Sequence, residues 1–460
     1  METALKTEMS NLPVAVIGAG PVGLAAAAHL VSKGLTPLIL EAGSSVASNL
    51  ESFGQIKLFS PWRYNLDKAA VQLLSSTDWS EPMLDELPTA GEMVRNYLQP
   101  LAKHPKIAPH LYLSHKVVAL SRMQADKVKT KGREQQPFVV RVETPEGQKE
   151  FLAQAILDAS GTWNQPNPMG TNGLPALGEE AVAAQMLYGM PDILGRERAR
   201  FATKRVLVIG SGHSAAGNLI ALSKLAETAP NTQMVWAIRG ENFTRIFGGG
   251  SADGLPARGE LGLRLKNLKD SGQLELHTRF YTQALTTSNQ KIEVISHDQQ
   301  RIKGIDEIIV STGCRPNLTL NRELRTQLDS WLESTEALAP LIDPNEHSCG
   351  TVRPHGYKEL AHPEANYYMV GAKSYGRAPN FLMATGYEQV RSIVAALAGD
   401  WQAANDVQLD LPQTGVCNSS FEGADRSEIN HQACCGQTPS KPEKQSASSC
   451  CAPKKSTCCG

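Results

Sequence analysis

Apolar residues arrive in short runs that stop at glycines. Val14–Ile17 is an unbroken apolar run entering a glycine-rich turn, Leu24–Val31 is alanine-rich and ends before Gly34, and Pro37–Glu41 is again apolar until its last residue. A buried strand, a helix and a second buried strand account for that order, so the first forty residues predict a βαβ unit. Arg205–Leu222 repeats strand, turn and helix, and Gln233–Arg239 supplies the next strand. Between the two units, Phe138–Thr144 and Glu150–Leu157 flank Pro145-Glu146-Gly147 and predict a β-hairpin whose second arm runs on into Asp158. A basic loop, Lys127–Arg133, is expected to hang between strands. Glu307–Ser311, Tyr367–Val370 and the helix-like Ala384–Leu397 follow the second unit as a return to the first.

The fold class is therefore α/β, with two Rossmann-like dinucleotide-binding domains. The expected bounds are 10–165 with 336–411 for the first domain, 166–335 for the inserted second, and 412–460 for a tail. From about Gln413 the composition shifts to Ser, Lys, Pro, Gly and Cys with no apolar period, which predicts disorder. A length of 460 residues suits two such domains. Lys and Arg number 45 against 46 Asp and Glu, for a formal charge of −1, so no global field exists to hold nucleic acid or an anionic membrane. Neither a signal peptide nor a membrane span is readable, and the body needs no disulfide framework. Both points fit the cytoplasm.

The chemistry lies at the glycines. Gly18-Ala19-Gly20-Pro21-Val22-Gly23 fits G-x-G-x-x-G between strand and helix. The first glycine makes the turn, the second lets backbone approach a pyrophosphate, and the third lets helix pack on strand. The helix N-terminus offers unpaired N–H groups to phosphate, and Glu41 at the end of the second strand suits a ribose hydroxyl. In the second unit Gly210-Ser211-Gly212-His213-Ser214-Ala215 has alanine at the third position, where a small side chain suffices. Gly210, Gly212 and Ser214 are the expected contacts there. Its strand ends at Arg239, which pairs with the 2′-phosphate of NADP or is simply a solvated surface arginine. One acid-ended and one arginine-ended turn point to two different dinucleotides, FAD and NADPH.

Taken with these turns, the chain resembles the two-dinucleotide flavoproteins that include flavin-containing monooxygenases and thioredoxin reductases. The resemblance covers roughly residues 12–410. It extends to Asp158-Ala159-Ser160-Gly161-Thr162-Trp163 and Val310-Ser311-Thr312-Gly313-Cys314-Arg315, similar to the paired segments that line the two nucleotide sites. It also includes Ser374–Gln389, similar to the C-terminal flavin-facing loop and helix, and Leu58–Asn65, similar to the loop near the flavin ring. The resemblance implies that Gly161, Gly313, Gly371 and Thr385 contact cofactor and that Trp62 and Arg63 shape the substrate pocket. Trp62 also reads as a core residue. Three departures stand out. The monooxygenase signature F-x-G-x-x-x-H is absent between the two turns, where Asn167-Pro168-Met169-Gly170-Thr171-Asn172-Gly173 stands instead. Ala372-Lys373 follows Gly371 where relatives carry an acid, and the body has no C-x-x-C, only the isolated Cys314 and Cys349.

The remaining cysteines are concentrated in the tail as Cys434-Cys435, Cys450-Cys451 and Cys458-Cys459, with Cys417 apart. Mobile paired thiolates suit a thiophilic metal or metalloid. Together with Ser374–Gln389, this tail resembles flavoproteins that accompany arsenic resistance. The resulting expectation is an NADPH-dependent FAD monooxygenase that uses oxygen on a soft heteroatom of a small molecule, such as a trivalent arsenical gathered by the tail. Two alternatives stay open: a flavin reductase serving a quinone or protein acceptor, and a thiol-rich metal-binding flavoprotein.

Overall fold

The computed structural model describes residues 11–248, 255–347 and 352–409. Two five-stranded sheets organise them. The first is built from Val14–Ile17, Pro37–Leu40, Leu111–Tyr112, Ala155–Asp158 and Tyr367–Met369, with Val14–Ile17 at its centre between Pro37–Leu40 and Ala155–Asp158. All its pairings are parallel, and Ile17, Asp158 and Met369 share one register position. The second sheet runs Leu274–His277, Gln233–Ala237, Arg205–Ile209, Glu307–Val310 and Met186–Tyr188, again parallel throughout. Parallel strands buried on both faces need continuous apolar runs. Val14–Ile17, Pro37–Leu40 and Ala155–Asp158 are buried at every position. The α/β class and the doubled Rossmann-like arrangement are thus as the sequence predicts.

Each central strand leads through a glycine turn into a long helix, Pro21–Ser32 in the first case and His213–Thr228 in the second. The alanines of Pro21–Ser32 are buried beneath Met383–Leu397, whose Gly386 leaves no room for a Cβ, since one would stand 2.6 Å from Val22 Cγ2. This crossing ties the end of the described chain to its beginning.

The hairpin differs from its expected form. Phe138–Thr144 pairs with Gly147–Ala153 in an antiparallel three-stranded sheet with Lys116–Arg122. The chain then changes sheet at Gln154, whose N–H donates to Pro13 O at 3.0 Å. Glu150–Leu157 is therefore two strands, because the apolar run Ala155–Leu157 is claimed by the parallel sheet. The basic loop also differs, since Arg133 at its end is buried. Arg133 and Arg122 each place a guanidinium 2.8 Å from a different oxygen of Glu364, with all three side chains nearly excluded from solvent. A charge-dense stretch reads as solvated until a distant carboxylate is brought to it.

Among the described residues no helix is long and apolar enough to cross a membrane.

Two candidate nucleotide crevices

Backbone conformation sets the first turn. Gly18 has φ +96°, and a Cβ there would lie 2.9 Å from Ala159 O. Gly23 is pressed harder, since its Cβ would stand 1.9 Å from Gly18 O. Nothing lies within 4 Å of a Cβ on Gly20. Two glycines are therefore demanded by the fold itself, and the middle one borders open space. The helix Pro21–Ser32 begins there with no side-chain cap, so its first-turn N–H groups and the positive end of its dipole face that space. Beside it the buried Glu41 carboxylate accepts the Ala19 N–H at 2.6 Å and the Gly43 N–H at 2.8 Å. These bonds hold the acid at the mouth of the turn.

The second turn repeats the plan. Gly210 has φ +127°, its Cβ would stand 2.2 Å from Ser311 O, and Gly212 again borders open space. Helix His213–Thr228 starts uncapped, with Ser214 half-buried in its first turn. Trp236 Nε1 donates to Gly210 O at 2.8 Å and fixes the turn from below. Arg239 follows the strand end, exposed, and among the described residues its guanidinium makes no ion pair. In both units the segment pressing on the first glycine is the one expected to line the site: Ala159 on Gly18 and Ser311 on Gly210. Gly161 and Gly313 follow these contacts at φ +69° and +83°.

The two crevices are joined. Asn167 N–H donates to Gly313 O at 2.9 Å, Thr312 Oγ1 donates to Asn167 O at 2.6 Å, and Arg315 N–H donates to Gln165 O at 2.9 Å, so the outgoing and returning chains lie side by side. Phe53 meets Trp163 at 4.6 Å between ring centroids, and Phe59 meets His213, the first residue of the second helix, at 5.1 Å. The Leu58–Asn65 loop thus reaches from the first unit to the opening of the second turn.

On the remaining side, Gly371 (φ +67°) packs against Val22, where a Cβ would lie 3.2 Å from Val22 Cγ2. Its N–H is held by Gln389 Oε1 at 2.8 Å, and Gln389 Nε2 lies 2.9 Å from both Ser374 Oγ and His355 Nε2. Thr385 is buried in the first turn of the same helix as Gln389. Sequence reasoning singled out Asp158 and Lys373 separately and missed that they pair. Both are wholly buried, and Lys373 Nζ lies 2.6 Å from Asp158 Oδ2 and 3.1 Å from Ser160 Oγ. The signal was present in a lysine where the resemblance leads one to expect an acid, and in an acid ending an apolar strand.

Trp62 and Arg63 part company. Trp62 is 4% exposed and packs in the first unit's core. Arg63 is half-exposed and paired with Asp85. It lines a cavity of about 490 Å³ with His29, Asp67, Lys68 and Arg391, at the far end of helix Pro21–Ser32 from its glycine turn. Cys434, Cys435, Cys450, Cys451, Cys458, Cys459 and Cys349 lie outside the described residues, so their expected roles rest on sequence alone.

The family described as Pyridine nucleotide-disulphide oxidoreductase matches residues 15–352. A ferredoxin–NADP reductase of Lactococcus lactis subsp. cremoris is 22% identical over 333 residues, covering 71% of this chain and 83% of its own length. Among solved structures, the bacillithiol disulfide reductase of Bacillus cereus aligns with a TM-score of 0.63 at 16% identity, over 84% of this chain and 99% of that one. A cadaverine monooxygenase of Erwinia amylovora, solved with FAD bound, aligns with a TM-score of 0.59 at 14% identity, over 89% and 99% respectively.

Proposed function

Because this chain belongs to the pyridine nucleotide-disulphide oxidoreductase family, we propose that it holds FAD at Gly18, Gly20, Gly23, Glu41, Gly161, Gly371 and Thr385. NADPH is held at Gly210, Gly212, Ser214, Arg239 and Gly313. The enzyme is an FAD- and NADPH-dependent oxidoreductase. One observation carries the assignment of sites: twice, an uncapped helix N-terminus opens beside a glycine whose missing Cβ leaves space for a pyrophosphate. Bound at these residues, FAD would supply the two-electron redox chemistry that links NADPH to the final acceptor. The chain's own task is to bind and orient the two cofactors, with the Phe59–His213 contact marking where the units approach. The two parallel sheets support domain bounds of 10–165 with 336–411 and 166–335, and the change of composition from about Gln413 supports a tail at 412–460.

For the electrons' destination we favour oxygen and a soft heteroatom in a small molecule. Disulfide exchange with a flavin in this family needs two neighbouring thiols in the body, and residues 1–416 hold two cysteines 35 positions apart, Cys349 and Cys314. Burial pushes the Cys314 thiol pKa up, which disfavours the reactive thiolate. The paired tail cysteines suit collection of a trivalent arsenical or similar thiophile for delivery to the flavin. The geometry gives Trp62 a place in the core and Arg63 one in a separate cavity, so neither is assigned to the substrate pocket. Purified enzyme given NADPH, oxygen and a panel of trivalent arsenicals, thioethers and amines is expected to consume NADPH and yield an oxygenated product. Peroxide without product across the panel overturns this reading. The similarity to ferredoxin–NADP reductases favours a second one, reduction of a protein acceptor. It predicts anaerobic NADPH oxidation once ferredoxin or a quinone is added.

Arg239→Ala is expected to weaken NADPH binding about tenfold or more while leaving NADH nearly unchanged, since only the 2′-phosphate loses its partner. Equal losses for both nucleotides, measured by fluorescence titration, would return Arg239 to the class of solvated surface arginines.

A further inference from the structure

The Lys373–Asp158 pair lies where a ligand crevice should be. Asp158 ends a strand of the first parallel sheet, in register with Ile17 and Met369, and open α/β sheets bind ligands beyond the carboxyl ends of their strands. It is also built into the glycine turn from both sides. Ala159, next to Asp158, presses on Gly18, and Gly371, two residues before Lys373, presses on Val22. The ion pair therefore joins the two segments that clasp the helix N-terminus. Ser160 reinforces the join, because its hydroxyl donates to Asp158 Oδ1 at 2.6 Å and accepts from Lys373 Nζ. Tyr367 OH adds a donor to Asp158 Oδ2 at 3.4 Å.

Stability is a weak reason to keep such a pair. Apolar side chains of similar volume serve as well or better in a core, since both charges lose their water. A charge pair in a dry site does have one property that apolar packing lacks, a strong field on whatever binds beside it. Resting on the assignment of FAD to this crevice, we infer that Lys373 and Asp158 form a charged floor that positions FAD and sets its reduction potential. Lys373 is a positioning residue here, acting through the segments it ties and through its field.

The experiment uses full-length enzyme loaded with FAD. Lys373→Met leaves a carboxylate beside the flavin and is expected to move the midpoint potential to more negative values, whereas Asp158→Asn leaves an ammonium and moves it to more positive ones. Both variants should bind FAD about tenfold more weakly. NADPH affinity, read at the separate second turn, should stay within about twofold of the parent. A purely structural pair gives no opposite-signed shifts, so potentials that are unchanged, or that move together, overturn the inference. If either variant fails to fold, Ser160→Ala carries the test. It keeps both charges, and it should bind FAD several-fold more weakly with an altered visible circular dichroism spectrum. Parent-like values there overturn the inference too. A parent enzyme that binds no FAD refutes the assignment of the crevice instead, which separates the two failures.

Discussion

Gly20→Val should leave a folded protein that has lost FAD, whereas Gly23→Ala should damage the fold itself. The two glycines belong to one motif and meet opposite surroundings. Gly20 is the helix N-cap, with φ −78° and ψ −175°, a conformation any residue adopts, and no atom stands near its absent Cβ. The Cβ of a valine there meets no protein atom within 4 Å, and the side chain takes up the space left for the pyrophosphate. Folding stability should change by less than about 0.5 kcal/mol. FAD affinity should fall on the order of a hundredfold, about 2.7 kcal/mol. At Gly23 even a methyl group would stand 1.9 Å from Gly18 O, so helix and turn must separate. Overpacking of this kind costs on the order of 3 kcal/mol. In a domain of this size the melting temperature of the apoprotein should drop by roughly 5–10 °C. Calorimetry of the apoprotein together with flavin absorbance of the loaded form separates the cases. A Gly20→Val enzyme that still purifies yellow, with parent affinity, would remove the first crevice as the FAD site.

The second large effect is a loss of stability in mild acid. His362 is buried against Tyr367, with ring centroids 5.3 Å apart, and burial brings its pKa down to about 4. Its Nδ1 accepts a bond from the Gln327 N–H, and Nε2 has no partner. The native state therefore favours the neutral ring. Because the folded pKa lies below the unfolded value near 6.5, this contribution is complete above about pH 6.5 and is lost as pH falls toward about 4. A shift of that size corresponds to about 3 kcal/mol. Glu364 adds a later step. Desolvation raises its pKa, but hydrogen bonds from Arg133 and Arg122 outweigh that and hold it below the usual glutamate value. Its contribution is present at neutral pH and disappears as pH falls through that lowered value. Urea denaturation at a series of pH values should thus show stability declining from about pH 6.5, and His362→Phe should flatten the upper part of the slope. Glu364→Gln should cost about 3–5 kcal/mol at pH 7, since two buried guanidiniums lose their shared counter-charge. Stability that is level from pH 7 to 4 would contradict the His362 account.

What the chain revealed before folding was what depends on local order. The strand Val14–Ile17, its glycines and the helix after them are contiguous, so spacing alone reports their job, and the same holds from Arg205 to Thr228. The return of Ala384–Leu397 to the first unit was legible as a pattern, and its burial follows from the crossing at Val22. Contacts between distant residues left weaker traces. Asp158 meets Lys373, and Arg122 and Arg133 meet Glu364, across more than two hundred positions, and a charged residue looks solvated until its partner is known. The hairpin was misread for a related reason. Nothing in the alternation between Phe151 and Leu157 marks the point where one sheet hands the chain to another; Pro13, far upstream, decides it.

The first sheet draws its edge strand, Tyr367–Met369, from beyond the whole of the second. A nascent chain that has made Asp158 must therefore wait through the synthesis of some two hundred residues before Ile156 and Leu157 gain that neighbour. During the wait, the later unit has all its strands and can settle first, reversing the usual amino-terminal priority of synthesis. Ribosome-stalled chains whose emerged portion ends between residues 312 and 366 should accordingly protect Arg205–Ile209 from hydrogen exchange while Val14–Ile17 remains labile.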